Sequence, residues 1–228
     1  MLTYQLNKEL DKEMALAFLP HVQGGVDFGK TIWIDHPLLK DIEHQNKKYI
    51  SDYFDHFYTD HFTQLDNTVR MFQKNWNLVE QDFFQQCNNL FNKYEFPKGK
   101  YIGYISTFNC NPRFLEDKTF QVYYLAKRNI QTTAHELLHF IFYSYTQNQF
   151  PELTKTLDPN TGVYWQVAEI FNTTILNTEP FKHLLGSGEE GYPQQRQLVI
   201  KSTEIYNKTQ TIDKLIKELF SLVKSSNS

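Results

Sequence analysis

Residues 132–140, with the sequence TTAHELLHF, place three ionisable side chains in an otherwise apolar stretch. The apolar stripe beside them is formed by Ala134, Leu138, Ile141 and Tyr145. This spacing predicts a helix, because residues four apart lie one turn above each other on one face. The apolar neighbours predict that the helix is buried, where polar groups without partners are costly. The fold must therefore provide partners for His135, Glu136 and His139.

The three polar residues form the pattern H-E-x-x-H, which predicts a metal site. Two imidazoles one helical turn apart can converge on one Zn²⁺, each at about 2.0–2.1 Å. Glu136 follows the first histidine and can reach water at the metal without becoming a ligand. We therefore expect His135 and His139 to bind zinc and Glu136 to act as the catalytic base.

A third ligand is needed, because a catalytic zinc usually has three protein ligands and one open position. A further histidine in an H-x-x-G-x-x-H pattern is excluded, because Phe142 and Tyr145 occupy the required positions. Glu169 lies in an apolar helical stretch, where a lone carboxylate is costly unless it is paired or bound to metal. We expect Glu169 to be the third ligand. The alternatives lie in loop-like sequence and are interpreted as solvated charges: Glu152, Asp158, Glu179, Glu189 and Glu190.

The motif His135-Glu136-x-x-His139, followed by Glu169 on a later helix, resembles the gluzincins, which are zinc peptidases. The resemblance covers roughly residues 101–176 and is to a minimal member of that family. It implies a zinc metallopeptidase acting on a peptide or protein substrate. It also implies that a strand at the cleft edge pairs with the substrate. By position, residues 101–108 or 120–125 would provide that strand.

The sequence departs from the gluzincin pattern beside the proposed ligands. Many gluzincins have an Asp four residues after the ligand Glu, which orients the first His, whereas this chain has Thr173. A neutral partner raises the basicity of a ligand less than a carboxylate does. A zinc peptidase also benefits from a donor to the developing oxyanion. We expect Tyr192, after the Gly-rich loop 186–191, in preference to His183 or Tyr206.

The pattern of elements predicts an α+β fold that is mostly helical, with a small antiparallel sheet packed on the active-site helix in a zincin-like arrangement. Strands are expected at residues 101–108 and 120–125, and their short connection favours antiparallel pairing. A further short strand is expected at residues 31–34. Helices are expected at residues 38–57, 66–92, 130–145, 163–176, 193–207 and 212–223.

The domain prediction is an N-terminal, mostly helical region at residues 1–95 and a zincin-like catalytic core with C-terminal helices at residues 96–228. One continuous domain is the alternative. A chain of 228 residues suits either arrangement.

Composition excludes several classes of protein. The net charge is −3 and no long basic stretch occurs, so a nucleic-acid partner is not expected. The chain lacks an apolar run of about 18 residues, so no membrane association is expected. The N-terminus lacks the pattern of a signal peptide, and there are only two cysteines, so we expect a cytoplasmic protein.

Three alternatives to peptide hydrolysis stay open at the level of sequence. The chain could be a zinc-containing, non-catalytic regulatory or interaction protein. It could be a helical interaction protein in which the H-E-x-x-H pattern is accidental. It could also hydrolyse a non-peptide amide, because the same zinc chemistry would serve.

Overall fold

The computed structural model describes residues 1–40 and 46–226, which form a mostly helical fold with a small mixed sheet. The predicted α+β class is confirmed. The strands are β1 (Leu2–Leu6), β2 (Val22–Gln23), β3 (Val26–Asp27), β4 (Tyr101–Ser106), β5 (Arg113–Phe114) and β6 (Thr119–Tyr123). The helices are α1 (Lys8–Phe18), α2 (Phe28–Asp35), α3 (Lys47–Asn77), α4 (Glu80–Leu90), α5 (Asn129–Gln149), α6 (Pro151–Thr154), α7 (Gly162–Leu176), α8 (Glu179–Leu185), α9 (Arg196–Thr209) and α10 (Ile212–Ser226).

The chain divides into two compact units, each built from two stretches of sequence. The first unit contains Met1–Leu78 and Gly99–Thr133, and the second contains Val79–Lys98 and Ala134–Ser228. The division therefore falls within α5. The predicted domain boundary between residues 95 and 96 stays a prediction.

The four-stranded sheet of the first unit has the strand order β1-β4-β6-β5, and β2 and β3 pair antiparallel in a separate two-stranded sheet. The predicted antiparallel pairing of residues 101–108 with 120–125 is wrong, because β4 and β6 pair in parallel. The connection between them is about a dozen residues long, which is the length that a parallel crossover requires. Within this connection β5 turns back and pairs antiparallel with β6.

The N-terminal strand β1 occupies a side of β4 that the sequence predicts to be free for substrate. It pairs in parallel with β4, so β4 lies between β1 and β6. Strand β6 likewise has β4 on one side and β5 on the other. Residues 101–106 therefore do not form a free edge for substrate, because β4 has a partner strand on each side. Strand β5 covers only Thr119 and Phe120 of β6, so the prediction that residues 120–125 provide the edge strand stays a prediction.

A buried carboxylate connects the helices and strands of the first unit. Oδ2 of Asp11 on α1 accepts hydrogen bonds from Tyr58 Oη (2.8 Å), from the backbone N–H of Thr107 (2.9 Å) and from Thr107 Oγ1 (2.9 Å). Its Oδ1 accepts a hydrogen bond from Gln121 Nε2 at 2.6 Å. Burial raises the pKa of Asp11, and the bonds from Thr107 and Tyr58 act against that increase. The carboxylate thus joins α1, α3 and β6 to the end of β4.

Three local predictions in the N-terminal half differ from the structure. Residues 31–34 belong to α2 rather than a strand, because Asp27 caps that helix by accepting a hydrogen bond from the backbone N–H of Lys30. The helix predicted at 66–92 is divided, since α3 ends at Asn77 and α4 begins at Glu80. The helix predicted at 38–57 corresponds to a 3₁₀ turn at Pro37–Leu39 and the start of α3, and residues 41–45 lie outside the described residues.

In the second unit, α7 packs against α9 and α10. Every residue of α7 from Val167 to Leu176 is buried. The buried stretch is apolar except for four positions: Glu169, Asn172, Thr173 and Thr174. The helices predicted at 130–145, 163–176, 193–207 and 212–223 are confirmed to within a few residues. Among the described residues, no helix has both the length and the apolar character needed to cross a bilayer.

Candidate metal centre

Helix α5 brings the two predicted histidine ligands together. His135 and His139 lie one turn apart, and their Nε2 atoms face each other at 3.0 Å. The ring of His139 is fully buried and stacks on Tyr143, with ring centroids 5.8 Å apart. Glu136 is also buried. The helical spacing expected from the sequence therefore brings two imidazole nitrogens to one point.

Helix α7 supplies the carboxylate that faces this histidine pair. Oε2 of Glu169 lies 3.0 Å from His135 Nε2, and Oε1 of Glu169 lies 3.3 Å from His139 Nε2. Asn172, one turn further along α7, donates a hydrogen bond from Nδ2 to the backbone carbonyl of His135 at 3.0 Å. This bond fixes the part of α7 that carries Glu169 against α5.

The geometry of these donors fits a zinc ion. Tetrahedral ligands at about 2.0–2.1 Å from zinc lie about 3.3–3.4 Å from one another. Here the two Nε2 atoms are 3.0 Å apart, Oε2 of Glu169 is 3.0 Å from Nε2 of His135, and the other oxygen, Oε1, is 3.3 Å from Nε2 of His139. In the part of the chain that the structure describes, His135, His139 and Glu169 are the one group of His, Cys, Asp and Glu side chains arranged to hold a metal. Two imidazoles and one carboxylate also form a donor set typical of zinc.

The charges around this group favour an ionised carboxylate. Burial raises the pKa of Glu169, but the charge of His139 and the contact with His135 outweigh it, so the pKa lies well below its usual value. Burial lowers the pKa of His135, but the charge of Glu189 and the contact with Glu169 outweigh it and hold that pKa well above its usual value. The carboxylates of this pocket therefore favour a positive charge at the imidazoles, which a proton or a bound metal ion can supply.

Glu189 is the residue that sequence reasoning missed. The sequence predicts a solvated loop charge at this position, whereas in the structure Oε1 of Glu189 lies 2.8 Å from Nδ1 of His135. Its side chain is only 27% exposed. One indirect sequence signal points to Glu189. It belongs to the Gly-rich loop 186–191, and the same loop leads to the prediction that Tyr192 lies at the cleft.

Tyr192 lies in the loop between α8 and α9 and packs against α7, the helix that carries Glu169. Its ring packs against Trp165 with centroids 5.2 Å apart, and Trp165 precedes Glu169 by one turn of α7. Its expected role as an oxyanion donor stays a prediction. Thr173 lies close to the same loop. If Gly191 carried a Cβ atom, that atom would lie 2.9 Å from Oγ1 of Thr173.

Comparison of the chain with protein-family models, with curated proteins and with solved structures gives no match. The resemblance to the gluzincins therefore depends on the residues of the site alone.

Proposed function

We propose that this protein is a zinc-dependent metallopeptidase with a gluzincin-like, zincin-type catalytic core. The observation that carries the proposal is the convergence of His135, His139 and Glu169 at 3.0–3.3 Å in a buried pocket, with Glu136 beside them. Two histidines and two glutamates in an apolar interior are costly unless they pair with one another or bind an ion, and a metal would compensate all four together. The donor set and its spacing match zinc better than the oxygen-rich sites of calcium or magnesium.

The residues of the site have separate tasks in this proposal. A zinc ion bound by the three donors supplies polarisation of the scissile carbonyl and a lower pKa for water. Glu136 accepts the proton of the attacking water and transfers it to the leaving amine. Tyr192 donates a hydrogen bond to the oxygen that gains negative charge. The contact of Asn172 with the backbone of His135 holds the two helices in register.

The number of ligands favours catalysis over a purely structural metal site. Structural zinc sites are usually closed by four protein ligands, whereas catalytic sites keep one position open. In the described part of the chain, the candidate group has three members. The rival function is a zinc-containing regulatory or interaction protein without catalytic activity. The burial of the site favours this rival, because the side chain of His135 is only 11% exposed.

Replacement of Glu136 by Gln separates these two functions. The proposal predicts that Glu136→Gln keeps the zinc and lowers peptide turnover by about 10²–10⁴-fold, because only the proton acceptor is lost. Zinc content and cleavage of a fluorogenic peptide library would be measured on the same samples. Glu190→Gln is the matched control, since Glu190 is an exposed glutamate whose side chain is 81% accessible.

Turnover by Glu136→Gln at the wild-type rate would contradict the proposed mechanism. Stoichiometric zinc in the wild type without cleavage of any peptide would support the regulatory rival instead.

A further inference from the structure

We propose that Glu189 is a positioning residue for the zinc ligand His135, carried to the site by the loop between α8 and α9. The inference rests on the proposed zinc site and adds a residue that the H-E-x-x-H pattern does not contain. Its basis is the contact of 2.8 Å between Glu189 Oε1 and His135 Nδ1. This contact lies on the side of the imidazole opposite the nitrogen that faces His139 and Glu169.

The two ring nitrogens of His135 therefore have different tasks. When Nε2 of a neutral imidazole binds a metal, the ring proton is on Nδ1, and that N–H needs an acceptor. A carboxylate in this position fixes the tautomer and the ring orientation, and it makes the imidazole a stronger ligand. Glu189 has the charge and the partial burial that this task requires, and its Oε1 lies within hydrogen-bonding distance of Nδ1. In the described residues Nδ1 makes no aligned hydrogen bond, so a small rotation of the imidazole or of the carboxylate has to direct the N–H at Oε1.

The loop is held so that Glu189 reaches this position. Asn177, which follows the last residue of α7, donates from Nδ2 to the backbone carbonyl of Glu189 at 2.8 Å. Its Oδ1 accepts a hydrogen bond from the backbone N–H of Glu189 at 3.0 Å. One side chain thus binds both backbone groups of the residue. The same Nδ2 also donates to the carbonyl of Thr173, which anchors Asn177 to α7.

Two glycines allow the loop to approach α7 this closely. A Cβ at Gly188 would lie 2.1 Å from Asn177 Oδ1, so a larger residue would displace the loop from its anchor. Gly191 has a φ of +67°, in the left-handed region, and a Cβ there would lie 2.9 Å from Thr173 Oγ1. The short side chain of Thr173 therefore lies against the loop. The carboxylate that contacts His135 is therefore that of Glu189 in the loop, and position 173 of α7 holds a threonine instead.

The adjacent residue provides an internal control. Glu190 has the same charge and belongs to the same loop, but its side chain is 81% exposed and lies 3.7 Å from Arg196. A general effect of negative charge on zinc binding would act through both residues, since they are neighbours in the chain. An effect of orientation would act through Glu189 alone.

The test is the zinc dissociation constant, measured by competition with a chelator in the wild type, Glu189→Gln, Glu189→Ala and Glu190→Gln. We expect Glu189→Ala to weaken zinc binding by about 10–100-fold, the range seen when a hydrogen-bond partner of a metal ligand is removed. Glu189→Gln should have a smaller effect, because the amide oxygen still accepts the N–H but carries no charge. Glu190→Gln should stay within about twofold of the wild type.

A second measurement distinguishes positioning from a loss of folding. In zinc-loaded protein, the Nδ1–H of His135 should give a slowly exchanging imidazole proton signal, observed by ¹⁵N-edited NMR. This signal should be lost in Glu189→Ala and retained in Glu190→Gln. Gly188→Ala leaves every ligand unchanged but displaces the loop, so it should also weaken zinc binding.

The outcomes separate this inference from the proposed function. Tight zinc binding by the wild type with an equal affinity in Glu189→Ala would overturn the positioning role and leave the zinc site intact. A wild-type protein that binds no zinc would overturn both.

Discussion

Removal of the Asp11 carboxylate tests the polar network that holds the first unit together. Oδ2 of Asp11 accepts three hydrogen bonds, two from Thr107 and one from Tyr58, and Oδ1 accepts one from Gln121. Asp11→Ala leaves these buried donors without an acceptor. Each buried donor without a partner costs about 1–3 kcal/mol, although the hydroxyl of Thr107 can rotate to another acceptor. We therefore expect Asp11→Ala to lower the free energy of unfolding by about 4 kcal/mol.

Asp11→Asn should be tolerated much better. Its amide oxygen can take the Oδ2 position and keep the three bonds from Tyr58 and Thr107. Its NH₂ group would then face Gln121, whose buried Oε1 makes no hydrogen bond to the residues that the structure describes. A flip of the Gln121 amide turns this oxygen toward the new donor. We expect a loss of about 1 kcal/mol.

The assay is urea unfolding followed by circular dichroism, with Glu9→Ala on the same helix as the control. The side chain of Glu9 is 75% exposed and pairs with Lys12 on its own helix, so its removal should cost under about 0.5 kcal/mol. If Asp11→Ala is no less stable than Glu9→Ala, or if Asp11→Asn loses as much as Asp11→Ala, the reasoning is refuted.

Three further variants test separate parts of the structure. Burial lowers the pKa of His36 to about 4, below its ordinary value of 6.5, so the unfolded state binds the proton more readily. Stability should therefore fall by about 3 kcal/mol as the pH drops from 6.5 to 4, and unfolding titrations of His36→Phe should lack this component. Gly103→Ala should lower the unfolding free energy by about 1–3 kcal/mol, because its Cβ would lie 2.7 Å from Tyr4; an unchanged thermal midpoint would disagree. Tyr192→Phe keeps the ring on Trp165 but removes the donor, so peptide turnover should fall by about 10²-fold at constant zinc content. Full turnover would exclude Tyr192 as the oxyanion donor.

The parts of the site that the sequence predicted depend on local geometry or on burial. The spacing of His135 and His139 requires only one turn of helix, and α5 provides it. A carboxylate in an apolar helix needs a partner, which predicts a role for Glu169, and the structure places its Oε2 3.0 Å from Nε2 of His135. Both inferences use properties that are present in the segment itself.

The parts that the sequence did not predict depend on contacts between distant segments. The direction of β6 relative to β4 follows from the crossover between them. Strand β1 pairs with β4 although the two are almost 100 residues apart in the sequence. Glu189 reaches His135 only because Asn177 binds its backbone and Gly188 leaves room for that contact. Neither the strand direction nor the position of Glu189 produces a periodic pattern in the sequence. From sequence alone, a carboxylate in a loop near a metal site therefore looks the same as a solvated one.

The most direct test of the central claim is the zinc content of tag-free protein that has been offered zinc and then desalted, measured by elemental mass spectrometry. The account predicts about one zinc per chain in the wild type and in Glu136→Gln, and a loss of zinc in His135→Ala. It predicts weaker retention in Glu169→Ala, because two histidine ligands remain. A wild-type protein without zinc, or one whose zinc survives His135→Ala, would contradict the assignment of His135, His139 and Glu169 as a metal centre.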